Sequence, residues 1–230
     1  MKQIYAEEVE SIRQSVRHIL DTVPSDVIVV AAAKGRTLPE VKSAILAGIT
    51  HIGHNYHQEA QLMIPALKDI ATLHMIGHLQ RNKVKKAVQL FDMLETVDSL
   101  HLAKTIGRRC AAIGKVIPIL IEINSGEEPS KTGVLPKDVD KLVATISDLK
   151  HISIQGLMTM GPRFGNPEDA RPFFRETRQI FERLSRNRIP NIEMRYLSMG
   201  MSNSYLVAIE EGANIIRIGT KIFGHSLVAS

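Results

Sequence analysis

The chain has 230 residues, 44% of them apolar and 23% charged, with a formal charge of +5 and a pI near 9.3. Nothing in that composition suggests disorder, its scattered and nearly balanced charges permit nucleic-acid binding without indicating it, and no apolar run approaches membrane-spanning length. A single cysteine, Cys110, permits no internal disulfide; with an acidic start that carries no signal pattern, the expectation is a reducing, cytoplasmic setting and one domain, residues 1–230.

Ile4, Val9, Ile12, Val16 and Ile19 recur at helical spacing and predict a leading helix over residues 1–20. Next comes VIVVAAAK, Val27 to Lys34, an apolar run read as a buried strand that stops on a lysine. Lysine is rarely buried, so this residue either snorkels to solvent, the common fate, or does chemistry. Thr37 and Glu40 around Pro39 then form a capping box for a helix buried through Val41, Ala44 and Ile45 and ended by Gly48. The strand–helix unit recurs. Further apolar runs lie at 49–53, 73–77, 91–97, 117–124, 152–161, 193–199 and 214–219, and helical periodicity fills 99–113, 136–149, 167–184 and 202–211. Eight βα units predict an α/β fold, a single (β/α)8 TIM-type barrel with a leading N-terminal helix; an open doubly wound sheet is the alternative, since strand count does not show closure.

Reactive groups of such a barrel sit at the carboxyl ends of its strands. There the sequence puts Lys34 after the first strand, His54, Asn55 and Tyr56 after the second, His78 after the third and Asn124 after the fifth. In LSMGMSN, Gly200 allows a close turn and Ser202 is expected to cap the helix that follows; in IIRIGTKIFG, Gly219 and Thr220 offer small residues and backbone N–H groups. Singly these are ordinary turns, but after strands seven and eight together they favour a phosphate. Arg217 alternates with Ile216 and Ile218 and therefore faces the interior, where its partner is either a carboxylate, Glu95 or Glu122, or a ring nitrogen of a ligand. An amine, a guanidinium and a phosphate cradle at one rim suit a phosphorylated aldehyde.

Three other readings compete. His51, His54 and His57, with His74 and His78, raise a metal site against hydrogen-bonded or surface histidines. Arg81, Lys83, Lys85 and Lys86 raise RNA binding, against a solvated helix face in a chain with 4% aromatic residues. Lys131 in SKTGV is either an exposed loop lysine or an assistant from the loop after strand five.

Several stretches in one order, VVAAAKG, IGHNYHQEA, LHMIGHLQRNK, SKTGV, GLMTMG, LSMGMSN and RIGTKIFG, resemble the YggS/PROSC family of pyridoxal phosphate homeostasis proteins. The resemblance covers residues 27–224 and implies the alanine-racemase N-terminal barrel, PLP fold type III, with pyridoxal 5'-phosphate (PLP) held by Lys34 as a Schiff base. It further implies that Asn55 lies near the cofactor, Arg217 faces the pyridine nitrogen, and Ser202, Gly219 and Thr220 hold the phosphate. The implied role is vitamin B6 homeostasis as carrier or buffer, with PLP-dependent apo-enzymes as recipients, in the cytoplasm, as a monomer or weak homodimer. Amino-acid racemisation is the alternative; in alanine racemases, by resemblance, its second base is a tyrosine of an additional β domain, for which the chain leaves no room beyond the eighth strand, and Tyr56 is the substitute candidate. The chain departs from the family at Ala33, usually serine, at His54, usually glutamate, and at Lys221, often alanine. A cation at position 54 is expected to bear on how readily Lys34 loses its proton.

Overall fold

The computed structural model describes residues 2–162, 165–187, 189 and 191–224, with the side chains of 2–6 and 8 outside that description, so the predicted position of Ile4 falls there. The first helix, α1 (Lys2–Thr22), sinks Ile12, Val16 and Ile19, spaced at i, i+4 and i+7 along one face. Eight strand–helix units follow: β1 (Ile28–Ala32), α2 (Leu38–Leu46), β2 (His51–His54), α3 (His57–Leu67), β3 (Thr72–Met75), α4 (Val84–Leu90), β4 (Met93–Val97) and α5 (Leu100–Ala111). The second half adds β5 (Ile117–Ile123), α6 (Val139–Ile146), β6 (Ile152–Thr159), α7 (Arg171–Arg186), β7 (Ile192–Ser198), α8 (Tyr205–Glu210), β8 (Ile215–Ile218) and α9 (Thr220–Phe223). The α2 capping box is present: Thr37 Oγ1 accepts from the Glu40 N–H, and the Glu40 carboxylate accepts from the Thr37 N–H at 2.7 Å.

All strands are parallel in sequential order, and β8 pairs with β1 through Ile28↔Ile215, Val29↔Ile216, Val30↔Arg217 and Ala31↔Ile218. The barrel is therefore closed, and the open-sheet alternative is overturned. Pleating sorts each strand into two faces. Outward residues such as Val29, Ile52, Leu94, Ile119 and Ile218 join helix residues such as Val41, Ile106 and Phe174 in one apolar layer that runs from Ile12 to Phe223. Each fully buried aliphatic side chain there contributes about 1.5–3 kcal/mol. Inward residues form two small apolar groups, Val30, Ile76 and Ile215 in one and Met93, Leu120 and Met158 in the other, with Tyr196 touching both. The interior also holds the buried polar side chains of His74, Glu95, Glu122, Ser198 and Arg217, which set the site.

Candidate functional site

Lys34 shares the inward parity of Ile28, Val30 and Ala32 and emerges exposed at the carboxyl rim, with its Nζ 5.7 Å from the centroid of the Tyr56 ring. Two residues on, the Arg36 guanidinium donates to the carbonyls of Phe223 (2.9 Å) and Gly224 (2.5 Å) and to Glu40 Oε1 (3.2 Å), tying the lysine loop to the end of α9. Asn55 leaves β2 with its backbone pressed against Gly77, where a Cβ would stand 2.4 Å from the Asn55 carbonyl oxygen.

Gly219, beyond β8, lies beside Ala32 of β1, one pleat below Lys34. Its N–H and that of Lys221 both donate to Ser202 Oγ, at 3.2 and 3.3 Å. This corrects the expected cap. α8 begins only at Tyr205, because Gly200 (φ +87°) and a turn over Met201–Ser204 delay the helix, and Ser202 at that turn reaches sideways to the β8 loop instead. The correction brings the two predicted loops together: Ser202, Gly219, exposed Thr220 and Lys221 form one cluster of hydroxyls and N–H groups.

Arg217 points inward as its alternation requires and is 4% exposed. Nη1 donates to Ser198 Oγ (2.5 Å) and Nη2 to the Thr159 carbonyl (2.8 Å), while Glu95 Oε2 stands 3.8 Å from Nη1. Of the two candidate carboxylates, Glu95 is thus the near one. Burial works against its charge, yet the hydrogen bond and field of His74, then Arg217 and Ser198, outweigh that and hold its carboxyl below the usual range. Glu122 has one oxygen held by the Thr132 hydroxyl (2.7 Å) and the other buried without a partner, and burial pushes its carboxyl up.

The HIGH stretch divides between two environments. His51 faces inward and shares a hydrogen bond with His74 Nε2 (2.8 Å); burial, then the field of His74, lowers it to about 4. His54 faces outward against Phe91, completely buried, with neither ring nitrogen hydrogen-bonded, and burial lowers it to about 4. It is therefore neutral near pH 7, and the expectation of a cation beside Lys34 is corrected: the pleat sends position 54 to the helix layer. Among the described residues no three His, Cys, Asp or Glu side chains are grouped to hold a metal ion. Lys85 and Lys86 lie on the exposed face of α4, whose Val84, Ala87 and Val88 are buried, and Lys131 pairs with Glu128 at 2.5 Å. No helix among the described residues is long and apolar enough to cross a membrane.

Sequence reasoning missed the bridge that Ser198 makes between Glu95 and Arg217, and the direct His51–His74 hydrogen bond. The signal was present in the pattern: with Ile52, Leu73 and Met75 outward, both histidines must point in.

Residues 8–227 match the family model of the alanine racemase N-terminal domain. The chain is 41% identical to the pyridoxal phosphate homeostasis protein of Aquifex aeolicus over 178 residues, 77% of each chain. It is 32% identical to that of Pasteurella multocida over 219 residues, 93% of this chain and 94% of the relative. PipY of Synechococcus elongatus, solved with PLP bound, superposes with a TM-score of 0.84 at 30% identity, over 93% of this chain and all (100%) of that one. Alanine racemase of Clostridium difficile superposes with a TM-score of 0.79 at 13% identity, over 95% of this chain and 58% of that one, a likeness of fold alone.

Proposed function

The chain belongs to the family of pyridoxal phosphate homeostasis proteins, built on the alanine racemase N-terminal barrel, and on that premise we propose that it binds PLP covalently through Lys34 and acts as a carrier or buffer of vitamin B6. One observation supports the assignment to these residues: an accessible amine and a cluster of hydroxyls and N–H groups stand at the carboxyl rim, and a buried guanidinium points into the barrel beneath them.

The residues suit the group chemically. Lys34 would hold PLP through its neutral amine, which can condense with an aldehyde with loss of water. Ser202, Gly219 and Thr220 would hold the phosphate, the N–H groups of Gly219 and Lys221 turning to it from Ser202 Oγ, to which both donate in the free chain. Arg217 would donate to the pyridine nitrogen. Asn55 would border the cofactor from β2, and the Tyr56 ring lies with its centroid 5.7 Å from Lys34 Nζ. A guanidinium at the ring nitrogen leaves that nitrogen unprotonated, which weakens the ring as an electron sink, and Tyr56 turns its ring face rather than its hydroxyl to the lysine amine. Both points favour holding and handing on the cofactor over racemisation. In this reading the chain works as one domain in the cytoplasm, as a monomer or weak homodimer, and passes PLP to apo-enzymes that depend on it.

The test is the visible spectrum of the chain incubated with PLP, followed by borohydride reduction and peptide mapping. A reducible band with the adduct on Lys34, lost in Lys34→Ala while the far-ultraviolet circular dichroism is kept, is the expected result. An adduct scattered over surface lysines, or none, overturns the assignment.

A further inference from the structure

Below the rim a chain of hydrogen bonds crosses the barrel interior. His51 Nδ1 and His74 Nε2 share one at 2.8 Å, His74 Nδ1 donates to Glu95 Oε1 at 2.6 Å, and Ser198 Oγ donates to Glu95 Oε2 at 2.6 Å. Arg217 Nη1 donates to the same Ser198 oxygen at 2.5 Å, and its Nη2 to the Thr159 carbonyl at 2.8 Å. The direction at Ser198 is fixed by chemistry: arginine has no acceptor, so the one hydroxyl proton goes to the carboxylate. Strands β2, β3, β4, β6, β7 and β8 each supply a group; β5 adds Glu122, whose field also reaches Arg217, and β1 adds apolar Val30 in register with it.

Barrels usually fill this level with branched aliphatic layers, and a charged pair in their place costs desolvation that a hydrophobic substitute avoids. The arrangement therefore calls for a use. Arg217 has a long stem, yet three neighbours fix its guanidinium: Ser198, Thr159 and the Glu95 carboxylate. Glu95 is itself clamped from the opposite side by His74, which His51 backs.

Resting on the PLP reading above, we propose that Glu95, acting through Ser198, is the positioning residue for Arg217. It sets the height and orientation at which the guanidinium meets the pyridine nitrogen, and it neutralises the guanidinium so that the cofactor receives a hydrogen bond without an uncompensated positive charge. Glu95 touches neither cofactor nor reacting atoms.

The experiment compares PLP-loaded wild type, Glu95→Gln, Glu95→Asp and Ser198→Ala. It reads the pH midpoint of the bound cofactor's visible band, the rate at which PLP is lost to a scavenging apo-enzyme, and the urea midpoint. In Glu95→Gln the unbalanced guanidinium opposes protonation near it, so the band midpoint falls by about one pH unit, the size of a unit charge roughly 10 Å away at an effective dielectric near 20. Release quickens by about tenfold. Glu95→Asp restores the charge and returns the midpoint to the wild-type value. Ser198→Ala keeps the charge and drops the bridge, so release quickens while the midpoint stays; this variant decides the matter if Glu95→Gln does not fold. A loaded Glu95→Gln chain with the wild-type midpoint and release rate overturns the inference, as does Ser198→Ala releasing at the wild-type rate. A wild-type chain that forms no Lys34 adduct overturns the PLP reading itself, a distinct result.

Discussion

His54 makes folding stability fall in mild acid, and its share can be isolated. The ring is fully buried against Phe91, both nitrogens lack partners, and its pKa stands near 4 against 6.5 for an exposed imidazole. The sign follows from linkage: between these two values the unfolded chain binds a proton that the folded chain refuses, so stability rises with pH through that window and is lost as pH falls through it. Taking both values, the loss between pH 7.5 and pH 5 amounts to about 2 kcal/mol for this one group. His54→Leu fills similar space with apolar atoms and removes the unpaired donor and acceptor, so at pH 7.5 the variant should already be more stable by about 1–3 kcal/mol. Urea unfolding of both chains at the two pH values, with unchanged m-values, measures the difference. His51 and every other titrating group are common to both chains and cancel to first order. The advantage of the variant should grow by about 2 kcal/mol on going to pH 5; an advantage equal at both pH values would show that His54 is not the buried neutral imidazole described and refute the reasoning.

Arg217→Ala should do more than loosen the cofactor: it strands a fully buried carboxylate, Glu95, and should lower unfolding free energy by about 3–5 kcal/mol in urea titration, even without PLP. Glu122→Gln removes a buried carboxyl whose pKa is raised chiefly by burial; the wild-type group costs stability once pH climbs above its unfolded value, so the variant's advantage in thermal melting should widen from pH 5 to pH 8. Gly200→Ala forces a Cβ to 2.6 Å from that of Ala208 at a φ of +87°, and should cost about 3 kcal/mol and weaken phosphate-dependent retention of PLP, read by equilibrium dialysis.

The eight strands were legible because each is a short run whose outward half must be apolar to meet a helix, and the runs Ile117–Asn124 and Asn214–Gly219 bracket β5 and β8 within one residue at each end. Closure was not, since only the pairing of β8 with β1 distinguishes a barrel from an open sheet, and pairing between sequence-distant strands leaves no local mark. Alternation placed Arg217 on the inner face correctly. The same rule applied to HIGH would have separated His51 from His54, but a cluster of histidines in one stretch suggests a common site and hides the pleat. Ser202 was misassigned for a different reason: one residue more or less in a turn decides which neighbouring N–H groups a short side chain reaches.

The inner polar level also explains why the outer layer is so complete. A barrel interior packed with valine and isoleucine would stabilise the fold from within, whereas here two small apolar groups share the interior with Glu95, Arg217 and two histidines, whose burial gains little over an apolar filling. Stability must then come from the continuous layer between strands and helices, which reaches α1 through Ile12, Val16 and Ile19 and α9 through Ile222 and Phe223. α9 carries Thr220 and Lys221 of the proposed phosphate site at its start and is held at its end by Arg36, the second residue after Lys34. The proposed anchor and phosphate cluster are thus mounted on the same apolar layer and on each other, while the guanidinium is oriented from inside the barrel by charge. Loss of packing beneath α9 should consequently spread the lysine from the phosphate cluster without disturbing Arg217, and loss of Glu95 should do the reverse.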